Sequence, residues 1–265
     1  IMYTRKIVVI TGDQLAHNYF INQLRTNFNL SAIFIEKNRY PDPTYNSIRE
    51  RKAWDDFFVN RTKKEESLFL FSKCNNAQNN PQNFYIEKGC LNENKTIKLI
   101  NKFNPALIII FGTSLLCSKY LDLYPNQILN LHVGLSQYYR GTSCNFWPIY
   151  NLEPQLLGAT IHYVTNTIDG GNILFQNSIE LDKNDSQFIL MTKPIILGTK
   201  LMVEAIKGTS VNITKPGLTH SNGKLYQIKD FNPKAIIHVN HHISSGKIKR
   251  KIELENLKLK QITSL

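Results

Sequence analysis

The chain opens on a run of apolar, mostly β-branched residues. Ile7, Val8, Val9 and Ile10 follow one another without a polar interruption, and the run ends at Gly12. That pattern predicts a strand over 5–11, buried on both faces as in a parallel sheet. The period then changes. Leu15, Tyr19 or Phe20, Leu24 and Phe28 recur at helical spacing, so a helix follows. Ala32 to Ile35 returns to a short apolar run. Strand, helix and strand in this order make a βαβ unit.

The alternation continues down the chain. Lys37 to Tyr45 holds Pro41 and Pro43 and reads as a loop. Ser47 and Glu50 have the spacing of a capping box, opening a helix through Trp54 and Phe57. Asn75 to Asn83 is dense in Asn and Gln around Pro81 and reads as a flexible loop. Asn94 caps a helix through Ile97, Ile100 and Phe103, which stops at Asn104-Pro105 because the residue before proline disfavours α. Ala106 to Phe111, Ile128 to Val133 and Gly158 to Val164 read as strands. Helical spacing returns from Ser186 to Lys207, with Pro194 expected to kink or split the helix and Gly208 to close it. Turn signals at Pro216-Gly217 and Asn222-Gly223 lead into a helix over Pro233 to Ser245 and then a basic tail.

Composition narrows the class. A chain of 265 residues, 42% hydrophobic and 20% charged, buries a substantial core and is not disordered. No apolar run approaches the ~18 residues of a membrane helix, so no membrane insertion is expected. The opening residues lack a secretory apolar region, which points to the cytoplasm. A net charge of +12 fits an anionic partner, and it fits equally a lysine-rich composition spread along the chain. The four cysteines form no C-x-x-C pair and have no histidine at zinc-ligand spacing. They read as reduced structural thiols, with no metal site.

The chemistry-bearing segment is Asn130-Leu131-His132, which lies on a predicted strand and continues through Tyr138-Tyr139-Arg140-Gly141. Strand alternation puts Asn130 and His132 on one face, at the sheet edge where open α/β folds bind ligands. Thr160 and His162 follow on the next strand, and Ile168-Asp169-Gly170-Gly171 forms a turn after it. An amide N–H can donate to a developing oxyanion, an imidazole can take a proton near neutrality, and a carboxylate can orient that imidazole. Singly, such residues more often serve structure; for His162 an acceptor-lining role and a buried structural role weigh equally. Together they describe an acyl-transfer site in which the substrate's own amine is the nucleophile.

The combination resembles the N10-formyltetrahydrofolate-dependent formyltransferases. Members carry N-x-H, a loop ending near R-G, a strand G-x-T-x-H and then D-x-G. The matching positions here are Asn130 and His132, Arg140-Gly141, Gly158 to His162, and Asp169 to Gly171. The stretch from Asn104 to Leu116 is similar to the family's segment before the catalytic strand, and the resemblance spans roughly 5–206. It implies an α/β, Rossmann-like formyltransferase fold, mostly parallel with helices on both faces. A catalytic domain would occupy 1–206 and a small C-terminal appendage 207–265, the latter as a homodimer contact by analogy. Asn130, His132 and Asp169 would be catalytic. The folate co-substrate would lie against Ser114, Leu115 and Leu116 and against Thr165, Asn166 and Ile168. Gly12, Asp13, Thr113, Arg140 and His162 would face the acceptor. One departure stands out: Gln137 replaces a proline that usually stiffens the loop after the histidine.

Family members differ in their acceptor. The features resemble most the bacterial sugar N-formyltransferases of surface-glycan pathways (O-antigen, lipopolysaccharide), which act on nucleotide-linked amino sugars. Tyr138 to Gly141, Asn145 to Pro148, and Gly223 to Tyr226 followed by Lys229 to Phe231 are similar to segments of some of them. Arg39, Arg49, Arg51 and Arg140 are candidate diphosphate contacts. Methionyl-tRNA as acceptor remains an alternative, although this reading expects no nucleic-acid partner. A non-catalytic nucleotide- or RNA-binding relative is the other.

Overall fold

The structure is a computed structural model. It describes residues 5–37, 39–70, 77–208 and 222–263, with side chains of the last segment as far as 258. Cys74 and the turn signal at Pro216-Gly217 lie outside the described residues.

The first βαβ unit forms as its periodicity dictates: β1 (Ile7–Gly12), α1 (Leu15–Asn27) and β2 (Leu30–Glu36). Next come α2 (Ile48–Phe69), β3 (Gln82–Ile86), α3 (Asn94–Asn101), β4 (Leu107–Phe111), α4 (Ser118–Leu123) and β5 (Ile128–His132). After these run β6 (Tyr139–Gly141), α5 (Trp147–Tyr150), β7 (Gly158–Tyr163), β8 (Ile173–Ser178) and α6 (Gln187–Gly208). The C-terminal part holds β9 (Lys224–Tyr226), α7 (Pro233–Ser244) and α8 (Lys247–Thr263).

Seven strands make one sheet in the order β3-β2-β1-β4-β5-β7-β8. The first five run parallel, while β7 is antiparallel to both β5 and β8. Because side chains alternate across a strand, the apolar run of β1 serves two cores. Ile7 and Val9 pack with α1 and α6, through Phe20, Leu24, Met202 and Ile206. Val8 and Ile10 pack with α3 and Tyr120 of α4 on the other face. The chain leaves β1 toward β2 on one side and enters β4 on the other, so the strand order reverses between β1 and β4. The C-terminal strand ends there are where such sheets bind ligands.

A third, largely aromatic core joins α2, α5 and the C-terminal elements. Trp54, Phe57, Phe146, Trp147, Tyr226 and Phe231 are all buried in it, with Ile236, Val239, Ile248 and Ile252. Trp147 stacks on Tyr226 with ring centroids 4.1 Å apart. Both tryptophans are packing residues. β9 pairs with β6 in parallel, Arg140 opposite Leu225.

Several details depart from expectation. Ser47 does cap α2, accepting from Glu50 N at 3.2 Å, but Glu50 reaches back to Asn46 N at 2.7 Å instead of closing a box. Asn83, expected in a loop, lies in β3; as an exposed edge strand it needs little apolar sequence. Glu93, not Asn94, occupies the N-cap position of α3, and its side chain makes no capping hydrogen bond. Pro194 does not split α6, since Leu190, Met191 and Ile195 on either side of it are buried in the cores and carry the helix through. The basic tail folds as α8, anchored one turn apart by buried Ile248 and Ile252, while Leu254 and Leu257 stay exposed. On α7, His242 is buried against His238.

Candidate active site

The site forms where β5 and β7 pair. Their antiparallel register sets Asn130 opposite His162 and His132 opposite Thr160. Four polar side chains thereby share one patch at the sheet's edge. Asp169 arrives from the loop after β7 in the left-handed conformation, φ 48°, which aspartate tolerates better than most residues. The turn is closed by Gly170 N donating to Thr167 O at 3.1 Å. Gly171 cannot carry a side chain: a Cβ there would sit 1.8 Å from Tyr163 O.

Asp169 is the hub. Its Oδ1 accepts from Asn130 Nδ2 at 3.2 Å and lies 3.4 Å from His162 Nε2. Its Oδ2 accepts from the Gly141 amide at 2.7 Å and lies 3.4 Å from His132 Nδ1. Burial by itself raises a carboxyl pKa, but His132, His162 and the Gly141 amide outweigh it and hold Asp169 below the ordinary range. His132 is 4% exposed, and burial pushes its pKa down against the pull of Asp169. The ring is therefore neutral at pH 7. The 2.9 Å contact from His132 Nε2 to Tyr139 O assigns the proton to Nε2 and leaves the Nδ1 lone pair facing Asp169. His162 Nδ1 donates to Tyr163 O at 2.8 Å, so its Nε2 accepts from Asn130 Nδ2 at 3.1 Å. Both hydrogens of the Asn130 amide are thus directed, one to Asp169 and one to His162.

Burial works against the nearest thiol as a nucleophile. Cys144 packs beside His132 across Gly134, and burial raises its pKa well above the usual thiol value. Cys90, Cys117 and Cys144 are all free thiols. Among the described residues no group of His, Cys, Asp or Glu is arranged to hold a metal ion.

Arg140 reaches two backbone carbonyls, Gly223 O at 2.8 Å and Ile168 O at 3.4 Å, and so ties β9 and the Asp169 loop to β6. Gly141 beside it has φ +86° and would place a Cβ 2.2 Å from Tyr226 O. Replacing Gly141 with alanine is expected to lower stability by ~1–3 kcal/mol, through strain and a broken β6–β9 ladder. It is also expected to weaken the amide that holds Asp169. Denaturant melts check the first effect and the catalytic rate the second; a variant as stable as the parent would contradict the packing described.

The loop after His132 lacks the family's proline, yet it is held by side chains. Gln137 and Gln176 form a reciprocal amide pair, Gln176 Nε2 donates to Thr160 Oγ1 at 2.8 Å, and Thr160 Oγ1 donates to Gly134 O at 2.7 Å. The sequence shows Gln137 as a loss; only the fold shows Gln176 opposite it.

The two loops expected to receive folate follow β4 and β7. Leu115, Thr165 and Asn166 are exposed, Leu116 packs against the core beneath, and Ile168 O accepts from Arg140. Ser114 N donates to Glu36 Oε2 at 2.7 Å. Gly12, Asp13 and Thr113 lie at the ends of β1 and β4. A histidine unnoticed in the sequence lies over that crevice. The ring of His17 meets the Cβ positions of Gly12 at 2.6 Å and Gly112 at 2.3 Å, so a side chain at either position would displace it. His17 Nδ1 accepts from Gln14 N at 3.1 Å, closing the N-terminus of α1. Arg61 of α2, also unanticipated, is paired with Glu65 at 2.8 Å and reaches Gln14. Arg39, Arg49 and Arg51 are exposed, and Arg51 lies 3.9 Å from Asp55.

The sequence profile described as formyl transferase matches residues 5–206. The chain belongs to the formyl transferase family. Formyl transferases similar to this one include a methionyl-tRNA formyltransferase from Thermodesulfovibrio yellowstonii, 27% identical over 128 residues, covering 48% of this chain and 41% of that protein. The chain thus spans less than half the length of that relative. Among solved structures, a phosphoribosylglycinamide formyltransferase from Anaplasma phagocytophilum superposes with a TM-score of 0.57 at 12% identity, covering 84% of this chain and 98% of that one. An N-formyltransferase from Helicobacter canadensis, in complex with folinic acid and dTDP-3-aminofucose, superposes with a TM-score of 0.53 at 18% identity, covering 86% and 72%. These likenesses show that the formyl transferase shares their Rossmann-like fold. No helix among the described residues is long and apolar enough to cross a membrane.

Proposed function

We propose that this formyl transferase moves a formyl group from N10-formyltetrahydrofolate to the amine of a nucleotide-linked amino sugar. The observation that carries the reaction class is the Asp169 hub, which joins an amide donor, a neutral buried imidazole and a carboxylate in one patch beside an unreactive thiol. Such a set serves direct transfer better than a covalent enzyme intermediate. The folate supplies the formyl carbon. Asn130 releases the hydrogen it gives to His162 and directs it to the oxyanion of the tetrahedral intermediate. The His132–Asp169 pair takes the proton lost by the attacking amine as the new C–N bond forms. The pair returns that proton to the leaving nitrogen as the old C–N bond breaks. Ser114 to Leu116 and Thr165, Asn166 and Ile168 line the folate side, and residues 1–206 carry the chemistry.

The amino-sugar acceptor is supported by the segments around Tyr138 to Gly141 and Gly223 to Tyr226, which β6–β9 pairing sets side by side. It is supported too by the acceptor named for the Helicobacter canadensis protein. A cytoplasmic homodimer working in surface-glycan synthesis is the setting this reading implies. Methionyl-tRNA is the second reading, favoured by the curated relatives.

Mass spectrometry of a pooled reaction tests both. The protein is incubated with N10-formyltetrahydrofolate and dTDP-, UDP- and GDP-linked amino sugars, with methionyl-tRNA in a parallel arm. The expected result is one sugar heavier by a formyl group, with its initial rate of formation sharply reduced in Asn130→Ala. Product in the tRNA arm alone would replace the acceptor, and product in neither would overturn the reading.

A further inference from the structure

We propose that Glu36 is a positioning residue for the folate loop, holding residues 112–116 in the conformation that receives the co-substrate. This deepens the function proposed above and rests on it. Glu36 is the last residue of β2, paired with Gly12 of β1 and Ile86 of β3, and it is fully buried. A glutamate at 0% exposure is rare, because an acidic group loses its hydration there. Its two described hydrogen-bond donors are backbone amides. Ser114 N donates to Oε2 at 2.7 Å, and Gly89 N donates to Oε1 at 3.4 Å.

The topology shows what this accomplishes. Ser114 follows β4, and β4 is not next to β2; β1 stands between them. The loop must therefore cross the end of β1 to reach Glu36, and Gly112 at φ +64° turns it in that direction. Asn92 secures the far side, donating to Leu115 O and accepting from Cys117 N, each at 2.9 Å. Leu115 is left 64% exposed between these two anchors. Packing alone gives no reason for a carboxyl group at the Glu36 position, where an apolar residue would avoid the desolvation cost. A loop whose backbone must meet a planar ring with fixed donors and acceptors gives one, since preorganised polar groups cost no reordering on binding.

The test is equilibrium binding of 5-formyltetrahydrofolate, a non-transferring analogue, by calorimetry, joined to steady-state kinetics. Glu36→Ala is expected to weaken folate binding by about tenfold or more and raise the folate KM in parallel. The acceptor KM and the kcat at saturating folate should stay within about twofold of the parent. Glu36→Gln keeps an oxygen for Ser114 N and should recover affinity to within about threefold. Should Glu36→Ala not fold, Glu36→Met fills a similar volume without an acceptor for Ser114 N, and the same folate-selective loss is expected. Unchanged folate affinity in Glu36→Ala or Glu36→Met overturns the proposal while leaving the function intact. So does a loss spread equally over folate KM, acceptor KM and kcat. Failure of the unsubstituted protein to bind folate at all overturns both.

Discussion

Asp169→Asn is expected to lower kcat/KM for formyl transfer by about 10³-fold with little loss of stability. Asparagine keeps an oxygen for the Gly141 amide, so the turn and β6 stay in place. What disappears is the charge that faces His132 and His162. Without it, protonated His132 has no counter-ion in a buried site, and the proton from the amine loses its destination. Asn130→Ala is expected to cost about 10²–10³-fold, the usual effect of removing one oxyanion donor. The double variant should fall little below the worse single, because the two groups act on one transition state. The pH profile provides a separate check. Activity requires neutral His132, whose pKa burial has lowered, so the rate should hold above pH ~6.5 and fall only on the acid side. In Asp169→Asn the acid limb should move lower still. Rates are read by product mass and folding by circular dichroism. A near-parental rate in Asp169→Asn would remove the carboxylate from the mechanism.

The second large effect concerns acid stability. Burial first, and the Arg61 cation second, lower the pKa of His17 to about 3. The folded value thus lies below the ~6.5 of the unfolded chain. Between those values the unfolded chain binds a proton that the folded one does not. The contribution of His17 is complete above pH ~6.5 and is lost as pH falls toward 3, at up to about 1.4 kcal/mol per pH unit. His132, whose pKa burial also lowers, adds to the loss as pH falls below ~6.5, and Asp169, whose pKa is lowered, adds to it as pH falls below the ordinary carboxyl range. Urea melts from pH 7 to 4 should show the slope. His17→Gln retains an acceptor for Gln14 N and should reduce the slope by close to one proton, whatever it does to stability at pH 7. Parallel curves for the two proteins would mean that His17 is protonated in the folded state.

Much of this was legible in the residues themselves. Continuous apolar runs mark β1, β2 and β4, since a parallel strand must be apolar on both faces. The spacing of Asn130 and His132 places both on one face of a strand by period alone. Asp169 and the glycines after it read as a turn because only such residues accept its backbone. Less visible were β3 and β8. β3 is a polar edge strand and β8 a half-buried one, and neither needs a continuous apolar run.

What the sequence by itself determined was which local elements form and which residue types are available for chemistry. These follow from periodicity and backbone preference over a few neighbouring positions. The tertiary structure alone decided what each side chain meets. The β5–β7 register set His162 against Asn130, the crossing of β1 brought Ser114 to Glu36, and strand order left His17 over the two glycines. Arg140 lies against two carbonyls because β9, distant in sequence, pairs with β6. Hydrogen bonds and desolvation act over a few ångströms in space. Contacts between residues far apart along the chain are therefore fixed by topology and register, which local patterning does not contain.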